Sequence, residues 1–252
     1  MKKKLGLIQT GGLGDIHIAL PIAFHYHKKE FEIYWPIFDH WIEQMKHYAP
    51  WVNWVGISKE NKEHAYKEPI SILDSLKVDK KIPLYNFLGT NLELSNTPYF
   101  PHVSFDEFKY IKADVPFREK WNLNQCIQRD QKRESFIFDK YVKQKDYVVT
   151  HLNASIHTAD FDRSIIPENF QIIEINNDGF VLDWLKIIEN AKMIFMTNSV
   201  MANITEQLNI GNSRHYIPRT NVFINPTFLN KWIWLKNKNI DPKTNLTGIN
   251  FN

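Results

Sequence analysis

The sequence predicts an α/β protein of two units, each a parallel sheet covered by helices. Three observations carry this expectation. Residues 8–21, IQTGGLGDIHIALP, follow a short apolar run, make a glycine-rich turn and enter an apolar segment. Strand-like and helix-like pieces alternate through the first half of the chain. A second alternating series starts near residue 147 and contains MIFMTNSVMANITEQLNI, a strand that runs into a helix through Thr197, Asn198 and Ser199.

Residues 5–9 read as a buried first strand. Ile16, Leu20, Ala23, Phe24 and His27 then recur at helical spacing, with Pro21 expected to kink or restart the helix. Residues 31–35 read as a second strand. A helix over about 39–48 has one face marked by Trp41, Ile42, Met45 and Tyr48, and 54–57 make a third strand. Residues 70–73 and 84–88 are two further strand candidates, and 90–118, rich in aromatics and prolines, carry no assignment. From about 117 to 145 charges of both signs mix, which reads as a solvated helix pair between the units. The second unit has a strand at 147–151, a polar loop at 152–164 and a strand at 171–175. A helix with Trp184, Ile188 and Ala191 on one face follows, then a strand at 193–196 and a helix with Val200, Ile204 and Leu208. The expected domains are 1–143 and 144–222, with a tail, 223–252, packing on the outside.

The chain has 252 residues, 43% of them hydrophobic and 14% aromatic, enough for two cores. A net charge of +3 is too small to argue for nucleic acid or an anionic membrane as partner. Its single cysteine, Cys126, excludes an internal disulfide framework and fits a reducing compartment. Gln9, Thr10 and the glycines break the first apolar run too early for a signal peptide. No apolar stretch approaches the roughly 20 residues of a membrane helix. The expected location is the cytoplasm, and the oligomeric state is open.

Gly11, Gly12 and Gly14 let the backbone approach a ligand closely, and the helix start presents unpaired N–H groups and a dipole that favours an anion. Asp15 is the one acid in this turn. It is either a helix N-terminal carboxylate that complements the dipole or an acid–base group. The letters lack the Gly-Lys-Ser/Thr of a Walker loop and the third glycine of a dinucleotide fingerprint. In the second unit Asn198 or Ser199 caps a helix whose N-terminus is again an anion site.

GGLGDIHIALP resembles the N-terminal motif of the heptosyltransferase-like glycosyltransferases (family 9), in which Gly-Asp precedes a helix containing Leu-Pro. It is also similar to the Gly-Gly-Leu-Gly-Asp turn of starch and glycogen synthases, where the preceding lysine is replaced here by Gln9. THLNAS followed by RSIIPENF resembles the family's second motif, with Arg163, Pro167 and Phe170 in the places of its basic residue, proline and aromatic. MTNSVMANITEQLN is similar to the third. The resemblance implies a GT-B architecture, two Rossmann-like domains facing across a cleft, the first on the acceptor side and the second binding the nucleotide sugar. It implies inverting, metal-independent sugar transfer from a nucleotide-sugar donor to a carbohydrate acceptor, with no cofactor. Asp15 would be the base. Gly11, Gly12, Gly14, His151, Asn153, Ser155, Arg163, Asn198, Ser199 and Asn203 would contact the donor. In the third motif Asn198 replaces an aspartate, Val200 a glycine and Asn203 a histidine, so donor identity does not carry over.

Three rival readings are weighed. Asp160-Phe161-Asp162 is a DxD triplet of the kind that holds a divalent metal against a donor diphosphate. A scaffold that kept the fold and lost turnover accounts for Asn198 and Asn203. A sugar-nucleotide epimerase lacks a second acid–base constellation. No Gly-x-Ser-x-Gly elbow supports a hydrolase, the histidines form no ligand cluster, and Cys126 reads as inert.

Overall fold

In the computed structural model, which describes residues 2–61, 63, 65–85, 103–154, 157–218 and 226–239, the chain divides into two compact units, Met1–Gln128 and Arg129–Asn252. The first is built on β1 (Lys4–Ile8), α1 (Leu13–Lys28), β2 (Glu32–Phe38), α2 (Asp39–Tyr48), β3 (Asn53–Ile57), α3 (Lys67–Ser75) and β4 (Lys80–Pro83). Its four strands form a parallel sheet in the order β3-β2-β1-β4. Leu5, Leu7 and Ile8 of β1 are buried on both faces, as a central parallel strand requires. Pro36 is tolerated in β2 because pairing with β1 ends at Tyr34, so no ladder bond to that side is lost. Helix α1 runs without a break through Pro21. Tyr110 donates its hydroxyl to Ile18 O (2.7 Å), beside the His17 carbonyl that Pro21 leaves without its helical donor.

Residues 70–73, expected as a strand, lie inside α3. Leu73 is fully buried against Gly6, where a Cβ would meet its side chain at 2.6 Å. The short β-branched run is thus recruited as the inner face of a helix, and packing overrides its strand propensity. The fourth strand is β4 rather than 84–88. Its two exposed lysines disguise it, Leu84 and Tyr85 follow it, and 86–88 lie outside the described residues.

The stretch without a sequence assignment holds α4 (Phe105–Lys112), followed by a 3-10 turn (Phe117–Asn122) and α5 (Leu123–Cys126). Lys120 and Asp106, both fully buried, pair at 2.5 Å. Helix α6 (Gln131–Tyr141) then opens the second unit, where Arg129 bridges Glu134 and Glu189 and Arg133 pairs with buried Asp183. The charged stretch expected as a solvated helix pair therefore buries several charges in pairs, and the division falls at 128/129 rather than 143/144. Mixed sign permits this, because each buried charge has an opposite partner.

The second unit contains β5 (Tyr147–His151), the hairpin β6 (Asn153–Ala154) and β7 (His157–Thr158), β8 (Gln171–Glu174) and α7 (Leu185–Asn190). It continues with β9 (Met193–Thr197), α8 (Val200–Leu208), β10 (Ser213–Ile217) and β11 (Ile233–Trp234). The five-stranded sheet, β11-β10-β9-β5-β8, is parallel throughout. Val149, Met196 and Tyr216 pack on one face and Val148, Phe195 and Ile217 on the other, so both faces carry a core. The described part of the tail, 226–239, supplies the edge strand β11, with Ile233 and Trp234 half exposed. Glu206 of α8, fully buried, accepts hydrogen bonds from Leu229 N (2.8 Å), Asn230 N (3.2 Å) and Trp232 Nε1 (2.8 Å). Three donors to one carboxylate satisfy a charge that burial would otherwise penalise.

Candidate active site

In the first unit the chain leaves β1, turns at Gly11 and Gly12, and starts α1 with Asp15 in its first turn. Gly12 has φ +77°, and a Cβ there would lie 2.3 Å from Asp15 Oδ2. The carboxylate therefore folds back over the turn, and glycine is required on both counts. Asp15 Oδ1 lies 3.1 Å from Lys109 Nζ of α4. The Asp15 side chain is 34% exposed and that of Lys109 only 2%. Lys109 Nζ also donates to Gln9 Oε1 (2.8 Å) and Leu84 O (3.2 Å), and Gln9 Nε2 donates to Gly11 O (2.8 Å). Gln9 occupies the place at which the starch synthases have a lysine, and here an ammonium reaches that place from α4. The Tyr85 hydroxyl accepts from Thr10 N (3.0 Å) and Gly11 N (3.2 Å), so these two amides of the turn are occupied within the protein.

In the second unit the ends of β5 and β9 lie side by side, with His151 paired to Met196. His151 Nδ1 is 2.8 Å from Ser199 Oγ, which in turn caps α8 by accepting from Ala202 N. Burial pushes the His151 imidazole down to about 4, so the ring is neutral at pH 7. Asn203 Nδ2 donates to Ser199 O (2.9 Å). Asn203 Oδ1 and Thr197 Oγ1 are buried with no partner among the described residues. The turn is thus a neutral set of imidazole, hydroxyl and amide groups at a helix N-terminus, with hydrogen-bonding capacity to spare.

The fold brings His151, Ser199 and Asn203 together, with Asn198 preceding the cap and 7% exposed. Asn153 is tied to β8 and to its own hairpin: its Nδ2 donates to Glu174 Oε1 (3.1 Å) and its Oδ1 accepts from Thr158 Oγ1 (2.9 Å). Arg163 opens a short 3-10 turn and is exposed. Ser155 lies outside the described residues. Of the DxD pair, Asp162 accepts from Ser164 N and its carboxyl is held below the usual range by that bond. Phe161 between the two acids is buried and stacked on Phe195. Among the described residues no group of three or more His, Cys, Asp or Glu is placed to hold a metal ion, and no helix is long and apolar enough to cross a membrane.

Lys109 lies in the stretch to which the sequence assigns no element, because Asp106 and Lys109 interrupt the apolar stripe of α4.

No family model matches the chain, and no curated protein matches it in sequence. Solved structures do match in fold. A glycosyl transferase family 9 protein of Veillonella parvula aligns with a TM-score of 0.58 at 11% identity, covering 93% of this chain and 87% of that one. The iron-containing dodecameric glycosyltransferase TibC of enterotoxigenic Escherichia coli gives 0.57 at 10% identity over 92% of this chain and 64% of that one. The ADP-heptose lipopolysaccharide heptosyltransferase II of E. coli gives 0.54 at 11% identity over 92% and 89%. The chain therefore has the fold of the heptosyltransferase-like glycosyltransferases, built on two Rossmann-like parallel-sheet units.

Proposed function

We propose that this protein is a glycosyltransferase that moves a sugar from a nucleotide-sugar donor to a hydroxyl of a glycan or glycolipid acceptor, with inversion and without a metal. The observation that carries the reading is the carboxylate of Asp15, folded over a glycine turn at the end of β1 in a fold shared with sugar transferases. A sugar hydroxyl is a weak nucleophile, and a placed carboxylate takes its proton as the acceptor oxygen bonds to the anomeric carbon. The bond from that carbon to the diphosphate breaks, and the nucleoside diphosphate leaves with the electron pair. Arg163, exposed and unpaired among the described residues, and the N-terminus of α8 supply the stabilisation of that charge. The reading assigns acceptor deprotonation to the first unit and donor binding to the second. Asn198, Ser199, Asn203 and His151 are its donor contacts, and its setting is cytoplasmic.

The Asp15–Lys109 ion pair favours a second reading, a sugar- or nucleotide-binding protein without turnover in which the acid is structural. A thermal-shift panel tests the common part. Nucleoside diphosphates and sugar nucleotides (ADP-heptose, UDP-glucose and GDP-mannose among them) are compared with and without Mg²⁺. A ligand at a hundred times its Kd stabilises by about 2.7 kcal/mol. A rise in Tm for at least one diphosphate, unaltered by Mg²⁺, is expected. No shift with any of them refutes both readings, and a shift only with Mg²⁺ refutes metal independence.

A further inference from the structure

We infer that Lys109 is a positioning residue for the Asp15 base: it fixes the carboxylate by one oxygen, through a buried ammonium that touches no substrate. This rests on the sugar-transfer reading and extends it to a residue outside the three motifs. A lysine ammonium has three N–H groups. Here three acceptors surround it, Asp15 Oδ1 at 3.1 Å, Gln9 Oε1 at 2.8 Å and Leu84 O at 3.2 Å. Two donors are taken by Gln9 and Leu84, the Asp15 carboxylate stands at ion-pair distance, and with 2% of the side chain exposed the ammonium is closed off from a sugar or a phosphate. Its one route to the chemistry is Asp15.

The acceptors come from three directions, the end of β1, the first turn of α1 and the segment after β4, so the ammonium is held on several sides. Bound to Oδ1, it leaves Oδ2 as the oxygen over Gly12, on the partly exposed side of the carboxylate. A base held in one rotamer loses no orientational freedom when the acceptor arrives. Among the described residues, neighbouring ionisable groups are engaged elsewhere. Asp106, one turn earlier on α4, is paired with Lys120. Tyr85 accepts from the turn amides, and His17 Nδ1 lies 2.9 Å from Leu13 O. Burying an ammonium is costly, and here the cost is offset by a carboxylate that the solvent still reaches.

The test uses the full chain and nucleoside diphosphate release from whichever donor of the panel binds. Asp15→Asn is the reference for loss of the base. Lys109→Met is expected to lower kcat at least tenfold while KM for the donor stays within twofold. Lys109→Ala is expected to lose as much and to be rescued saturably by added ethylammonium, a rescue absent when Asp15→Asn is combined with it. A folded Lys109→Met with kcat within twofold of wild type overturns the inference, as does a fall in kcat matched by an equal loss of donor affinity. If Lys109→Met does not fold, Gln9→Leu carries the test, because it removes one anchor and keeps the charge. A three- to tenfold loss of kcat at constant donor KM supports the inference, and an unchanged kcat overturns it. Failure of the underlying reading looks different: wild-type protein that releases nothing from any donor, or Asp15→Asn at full rate, removes the sugar-transfer role and this inference with it.

Discussion

At the end of β1 the chain turns through Gly11 and Gly12 into α1 and lays a carboxylate over the turn, backed by a buried ammonium. At the end of β9 it turns through Asn198 and Ser199 into α8 and brings together neutral groups: a burial-neutralised imidazole, a capping hydroxyl and an amide. Both turns stand at the C-terminal ends of parallel strands, where open α/β sheets bind ligands. The difference is one of charge. A carboxylate in the first turn repels a diphosphate and suits proton transfer. The second turn, where an imidazole, a hydroxyl and an amide meet at a helix N-terminus, suits an anion. One topology, used twice, yields two chemistries through a handful of side chains.

The comparison breaks first at Asp15. Asp15→Asn should cut turnover by roughly 10²–10⁴-fold, the usual share of a general base, and leave nucleotide affinity within about twofold. Parallel loss of both in a turnover assay and a binding titration would mean that the charge contrast is not functional. Next in size is the acid limb of stability. His151 in the second turn and His17, two residues after Asp15, are both pushed by burial to about 4. The unfolded chain takes up these protons below about 6.5. Their contribution is complete above that pH and is lost as pH falls towards 4, by at most about 3 kcal/mol for each. Urea unfolding from pH 7.5 to 4.5 should show the fall, and His151→Gln should make it shallower. An identical slope in the variant would place the loss elsewhere.

A sharper cut at the first turn is Gly12→Ala, which meets a φ of +77° and a carboxylate oxygen 2.3 Å from the new Cβ. About 2 kcal/mol of stability should go, read from the urea midpoint. Its counterpart Ser199→Ala removes a cap from the second turn and should cost about 1 kcal/mol. The smallest effect is Arg163→Ala. It should weaken nucleoside diphosphate binding about threefold and nucleoside binding hardly at all, as a solvent-exposed charge contact to phosphate predicts. Equal weakening of both would remove the arginine from the diphosphate.

The legible parts of the sequence were those with local rules. The apolar runs at β1, β5 and β9 and the faces of α2 and α8 follow strand and helix periods, and glycines mark the first turn. The misread segment, 70–73, is too short for period alone to decide between strand and helix. Leu73 seated against Gly6 decided it. Helix α4 was hidden because Asp106 and Lys109 lie on its buried side, where charge ordinarily signals solvent. Arg129 and Glu134 hid the start of the second unit in the same way.

The sequence alone determined the strands β1, β2, β3, β5, β8 and β9, the helices α1, α2, α7 and α8, the glycine turn that seats Asp15 and the capped start of α8, because each follows from residues a few positions apart. Tertiary structure alone decided that Asp15 pairs with Lys109, that His151 meets Ser199 and that Glu206 clamps the segment leading into β11. Those contacts join segments far apart in the chain. Distance, burial and opposite charge select them, and none of the three leaves a periodic mark on the letters.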